Sequence, residues 1–328
     1  MTRYDVYGLG NALLDIECEV VPQVLEDLGI DKGVMTLLDE ESQNKILSRL
    51  DGHPTKRTCG GSAANTIIAI SQFGGKAFYS CKVAQDEPGQ YYLQDLAQCG
   101  VDTSPQTYAE SEITGKCLVF VTPDADRTMN TFLGISSSFS EAELVPEAIA
   151  ASTYTYIEGY LVTGENSKQA AIKAREIAVG AGQKVALTLS DLNMAKFFKQ
   201  GLLEMIGPGV DFLFANESEA LEIAGTQSLD NAIAYLKTLT KGFAITLGPK
   251  GSIIFDGETL INIEAFPVKA IDTVGAGDMY AGGVLYGITN GLDWAKAGRL
   301  GSLASAKLVT TLGARMATAD VQALLGKL

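Results

Sequence analysis

The stretch DTVGAGDMYAGG, Asp272 to Gly283, sets two aspartates around Gly275-Ala276-Gly277 and follows them with small and apolar residues. A helix beginning near Gly275 would leave the amides of Gly275, Ala276 and Gly277 as donors at its positive end. Such an end binds anions, phosphate above all. Asp278 falls in the first turn of that helix. A carboxylate repels phosphate, so it is the wrong group for holding one. It is the right group for taking a proton from a hydroxyl that attacks phosphorus. On this reading the amides stabilise charge on the migrating group and the glycines let it come close. A plainer reading gives Asp278 only a favourable place beside the helix dipole and makes the glycines a packing turn.

Three further clusters carry the same kind of residue. GGSAANT (60–66) puts Gly60 and Gly61 before a helix, with Asn65 in its first turns. NESE (216–219) ends a strand on Asn216 and places Glu219 at a helix start. TLGPKGS (246–252) offers Thr246, Gly248 and Gly251 at the end of another strand. These positions read as strand-to-helix junctions, and in a parallel sheet such junctions gather at the carboxyl edge, where ligands bind.

The elements that would position these groups alternate. Apolar runs at 4–10, 76–83, 153–161, 184–190, 211–216 and 243–248 read as strands. Helix-period segments at 62–74, 89–100 and 167–182 lie between them. The alternation predicts a doubly wound α/β fold, a mostly parallel sheet flanked by helices. Two stretches break the rhythm: 15–21 with 33–38, and 113–134, which reads as a hairpin turning at Pro123-Asp124-Ala125-Asp126. They predict a small antiparallel sheet, 15–38 and 113–134, added as a lid to a core of 1–14, 39–112 and 135–328. One face of KCLVFV (116–121) is apolar. That face would serve lid closure, a dimer contact, or both.

Composition narrows the chemistry. The 328 residues carry 25 Lys and Arg against 39 Asp and Glu, a net charge of −14. With no basic run, nucleic acid and anionic membranes are poor partners. No segment reads as a signal peptide or a membrane span. The five cysteines are widely spaced, as expected of reduced thiols in a cytoplasmic protein. The single histidine, His53, precedes a proline and reads as a surface loop residue. A histidine-based nucleophile system or zinc site is therefore disfavoured, and acid–base work falls to a carboxylate. The P-loop pattern G-x-x-x-x-G-K-[ST] does not occur. GLGNALLD (8–15) opens like a dinucleotide fingerprint, but it lacks the third glycine and runs into a strand.

CGGSAANTIIAISQFGG (59–75) and DTVGAGDMYAGG (272–283), with NESE and TLGPKG in order between them, resemble the PfkB, or ribokinase-like, carbohydrate kinase family. The resemblance covers essentially the whole chain. It implies a ribokinase-like fold with a β lid, ATP as phosphoryl donor, Mg²⁺, and a sugar hydroxyl as acceptor. It implies Asp278 as catalytic base and Gly275, Ala276 and Gly277 as the anion hole. Asn216 and Glu219 match the N-x-x-E pattern that organises Mg²⁺ through water, and Thr246, Gly248 and Gly251 match the nucleotide-side loop. Asp272 and Thr273 match residues that order the anion-hole loop, in some members through K⁺.

GLGNALLDI (8–16), which includes Asn11, DADRTMNTFLG (124–134) and YIEGYLV (156–162) are similar to segments of bacterial adenosine-kinase-like members. That similarity implies that Asp15, with Gly61 and Asn65, holds ribose hydroxyls. Arg127 could reach the transferring phosphate or simply close a hairpin salt bridge. Tyr160 could line a base site or be a core aromatic. The expected acceptor is adenosine, with inosine, guanosine, ribose and fructose as alternatives, and the expected assembly is a monomer or homodimer.

Overall fold

Runs rich in Val, Ile, Tyr and Phe suit a pleated sheet, and those buried on both faces need helices on either side. A computed structural model describes residues 4–33, 35–50, 55–106, 112–123 and 127–328. In chain order its strands are β1 (Tyr4–Leu9), β2 (Leu13–Glu19), β3 (Met35–Leu37), β4 (Thr55–Gly60), β5 (Ala77–Ser80), β6 (Val101–Thr103) and β7 (Thr114–Val121). They continue with β8 (Arg127–Gly134), β9 (Ser152–Ile157), β10 (Lys184–Thr188), β11 (Val210–Asn216), β12 (Thr240–Thr246), β13 (Ser252–Phe255) and β14 (Leu260–Ile263). A nine-stranded sheet runs β14-β13-β12-β11-β10-β9-β1-β5-β6. It is parallel from β6 to β12, and only β13 and β14 are antiparallel. The expected α/β sheet is therefore present, with an antiparallel edge.

Successive residues of the central strands feed opposite cores. Tyr7, Leu9, Ile157, Leu187, Leu213 and Ile245 pack on one face, and Val6, Tyr154, Tyr156, Ala186, Phe212 and Ala244 on the other. Full burial of such side chains contributes about 1.5–3 kcal/mol each, which fixes the register against a one-residue slip. The helix Ala276–Thr289 packs between Ser62–Gln72 and Trp294–Leu308. A β-carbon at Gly283 would lie 2.8 Å from the Gly301 backbone, so the glycine pair sets how closely two of these helices approach.

A second, five-stranded sheet runs β3-β8-β7-β2-β4. Strand β4 lies inside the 39–112 stretch expected in the core, yet it pairs with β2 through Asp15–Thr58 and Leu14–Cys59. The pairing of β2 with β7 is parallel, so the small sheet is mixed, not purely antiparallel. β7 and β8 pair antiparallel as the hairpin requires. The turn at 124–126, like His53, lies outside the described residues. The apolar outer face of β7, Leu118 and Phe120, is covered within the same chain by Leu25 and Ile46 of the helices Pro22–Leu28 and Glu40–Arg49. That covering accounts for the apolar alternation without a second copy of the chain. Among the described residues no helix is long and apolar enough to cross a membrane.

Candidate active site

One cavity of about 400 Å³ separates the small sheet from the carboxyl edge of the large one. Strand ends supply Asn11 after β1, Glu158 after β9, Asn216 ending β11 and Thr246 ending β12. The small sheet supplies Asp15 and Leu13 from β2, and Met129 and Leu133 from β8. Gly61, Asn65 and Tyr160 line it, and the run Gly275, Ala276, Gly277, Asp278 closes one wall. Thirteen positions that the sequence singled out, Glu219 and Thr273 among them, thus share one space.

Others stand apart or differ in setting. Gly248 and Gly251 do not line the cavity; they belong to a turn joining the antiparallel strands β12 and β13. Only Asn216 sits at a strand-to-helix junction of the large sheet. GGSAANT follows the lid strand β4, and DTVGAGD follows a loop after β14. The side chain of Arg127 lies outside the described residues.

The helix does begin at Ala276, with Gly275 as its cap at φ 73°, a left-handed conformation that glycine accepts readily. A β-carbon at Gly277 would meet nothing within 4 Å, so the space over that peptide is open. The Ala276 amide, however, donates to Thr273 O at 3.2 Å, closing a turn. The Asp272 carboxylate secures the same loop, accepting from Val274 N at 3.0 Å and Gly313 N at 2.6 Å.

Asp278 is half-buried and held from two sides. Ser62 Oγ donates to Oδ1 at 2.6 Å, and Asn65 Nδ2 donates to Oδ2 at 3.0 Å. Desolvation raises its carboxyl to about 6, against these hydrogen bonds and the charge of Arg315. The acid is therefore mostly ionised at neutral pH and able to accept a proton. Arg315 Nε donates to Asn65 Oδ1 at 3.0 Å, so the protein uses both ends of the Asn65 amide.

Asn216 and Glu219 form a reciprocal cap on the helix Glu217–Ala224. Asn216 N and Nδ2 donate to the two Glu219 oxygens at 3.0 and 2.6 Å, and Glu219 N donates to Asn216 Oδ1 at 2.9 Å. Desolvation raises the Glu219 carboxyl to about 7. A dication nearby would restore its charged form, and a carboxylate with retained waters is a normal Mg²⁺ setting.

Ser62, Glu158 and Arg315 were not singled out from sequence. Ser62 and Glu158 sit within motifs that were. Glu158 is 1% exposed and accepts from Asn11 N (3.3 Å), Asn11 Nδ2 (3.2 Å) and Ala63 N (2.8 Å). It ties the end of β1 to the start of the Ser62–Gln72 helix. Desolvation raises it from 4.5 to about 7, over the opposing bonds from Ala63 and Asn11. The folded state thus retains a proton that the unfolded chain releases. This stabilisation is complete below 4.5 and is lost as pH rises through 7. Thermal unfolding is expected at a lower Tm at about pH 8 than at about pH 5, and Glu158→Gln should narrow the gap. A gap of unchanged size would remove Glu158 as its source.

The PfkB family carbohydrate kinase profile matches residues 38–320. The chain belongs to the PfkB family. A probable sugar kinase from Rhizobium etli is 32% identical, with a TM-score of 0.92 and 100% of both chains covered. The adenosine kinase of Sinorhizobium meliloti is 33% identical, with a TM-score of 0.91 and 99% of each chain covered. A ribokinase from Haemophilus influenzae is 30% identical over 276 residues, 81% of this chain and 86% of its own. The fold is accordingly ribokinase-like, and the protein is a phosphotransferase to an alcohol acceptor. PfkB kinases use ATP with Mg²⁺.

Proposed function

We propose that this PfkB kinase transfers the γ-phosphate of ATP to the primary hydroxyl of a ribose-type acceptor, with adenosine as the preferred one. The observation that carries the acceptor is the lining next to Asp15. Polar groups for a ribose ring (Asp15, Asn11, Asn65) give way directly to an apolar strip from the lid, Met35, Leu37, Met129 and Leu133. A free sugar has no flat apolar surface large enough to cover that strip. A nucleoside offers it a flat base, whose apolar faces gain from burial.

In this reading Asp15 accepts from the vicinal hydroxyls and aims the 5′-hydroxyl at Asp278. The Asp278 carboxylate takes the hydroxyl proton as the oxygen attacks phosphorus, and ADP departs. The helix end, through the amides of Gly275 and Gly277, stabilises charge on the transferring group. Bound at the Asn216–Glu219 cap through water, Mg²⁺ would neutralise charge on the phosphates. The lid sheet covers the acceptor and excludes competing water. The cysteines Cys18, Cys59, Cys81, Cys99 and Cys117 are unpaired, which fits a reducing cytoplasm.

ADP release measured with adenosine, inosine, guanosine, ribose and fructose should rank adenosine first by kcat/KM. Adenosine giving no more signal than ribose would end the nucleoside reading and leave a sugar kinase. That outcome has its own support in the identity shared with the ribokinase.

A further inference from the structure

Arg315 follows Gly313 in the loop before the last helix, far in sequence from every motif that carries the family likeness. Its guanidinium reaches from there toward Asp278 through a single intermediary. Nη1 is paired with Asp95 of the helix Glu87–Gln98 at 2.5 Å, and Nε donates to Asn65 Oδ1 at 3.0 Å. Asn65 Nδ2 in turn donates to Asp278 Oδ2 at 3.0 Å. An asparagine amide has two ends of opposite character and nearly equal shape. Arginine has no acceptor, so the atom facing Nε must be the oxygen. The end facing Asp278 is then necessarily the NH₂.

We propose that Arg315 is a positioning residue for phosphoryl transfer: by fixing which way the Asn65 amide points, it fixes the direction of the Asp278 carboxylate. Asp95 holds the guanidinium in the plane that makes this possible. Without Arg315, Asn65 can turn its oxygen toward Asp278, and two acceptors then repel.

The charge of Arg315 acts in the same direction. It lowers the Asp278 carboxyl against the larger effect of desolvation, as do the bonds from Ser62 and Asn65. The other ionisable groups that sense Asp278 are Glu158, Glu219, Tyr156 and Tyr160. None of them is a cation, so removing Arg315 should move the Asp278 midpoint upward.

The inference rests on Asp278 acting as the base, and two readouts keep the claims separate. The first is ADP release by the full chain against pH, for wild type, Arg315→Gln, Asn65→Ala and the double variant. Arg315→Gln should lower kcat by about 10- to 100-fold and move the acid limb to higher pH. In the Asn65→Ala background the same change should cost less than about twofold, because its route to Asp278 is already cut. The second is a ¹³C carboxyl titration of Asp278, assigned with Asp278→Asn, which needs no turnover. Its midpoint should rise in Arg315→Gln; in Asp95→Asn, which keeps the arginine should Arg315→Gln fail to fold, loss of the anion paired with the guanidinium should move it downward instead. Equal losses in both backgrounds, or an Asp278 midpoint that does not move in either variant, would overturn the role of Arg315. Wild type inactive on every acceptor, with the midpoint still moving, would instead remove the proposed acceptor and leave the coupling standing.

Discussion

Asp278→Asn is expected to lower turnover by about 10²- to 10⁴-fold, the usual worth of a general base, while leaving nucleotide affinity unchanged. The loss corresponds to about 3–5 kcal/mol of transition-state stabilisation. The size separates the two readings of this residue. A carboxylate that merely complemented the helix dipole would contribute about 0.3–1 kcal/mol, and to stability, not rate. Asparagine keeps the shape of the side chain and its place beside Ser62 and Asn65. Calorimetry should therefore find ATP binding intact and thermal unfolding little moved. The wild-type profile gives an independent check. Desolvation places the carboxyl at about 6, so kcat/KM should fall tenfold per pH unit below that value as the base is protonated. The variant, having no such group, should lose that limb. Near-normal turnover in Asp278→Asn would remove the base from the mechanism.

The parts of this site legible in the sequence are those that local chemistry dictates. Gly275-Ala276-Gly277-Asp278 announces itself because glycines at a helix start make sense only where backbone must turn or approach something. The structure gives Gly275 a left-handed cap and leaves open space over Gly277. Alternating apolar runs gave the parallel strands because burial on both faces leaves that pattern. Short antiparallel pieces such as β13 and β14 leave no such trace, and TLGPKGS reads as a strand-to-helix junction although Gly248 and Gly251 lie in a turn joining two antiparallel strands, outside the cavity. The Ala276 amide shows a further limit: its bond to Thr273 O is a property of the folded loop. Arg315 and Glu158 were not singled out for a reason of the same kind. Each acts through partners 250 and 147 residues away, and nothing in the local spacing signals a contact at that range.

Asp15→Ala is expected to lower kcat/KM for adenosine by about 10²- to 10³-fold, with KM for ATP unchanged, since hydrogen bonds to a charged group contribute about 1.5–3 kcal/mol each and water recovers part of two of them. Asp15 is placed for this by its register. It faces Cys117 across β2–β7 and Thr58 across β2–β4, and its carboxylate hangs over Gly60 at the cavity rim. The pattern of the loss matters more than its size. If the carboxylate accepts from both vicinal hydroxyls, 2′-deoxyadenosine already forgoes one bond in the wild type and should suffer less from the substitution, so the two substrates converge in the variant. A lid residue acting only on closure would depress both alike. Equal losses for the ribo- and deoxyribonucleoside would therefore take Asp15 out of acceptor recognition even if activity falls steeply. Convergence would tie the small sheet to the acceptor itself, because β2 brings to the cavity both the carboxylate for the ring and, at Leu13, part of the apolar lining.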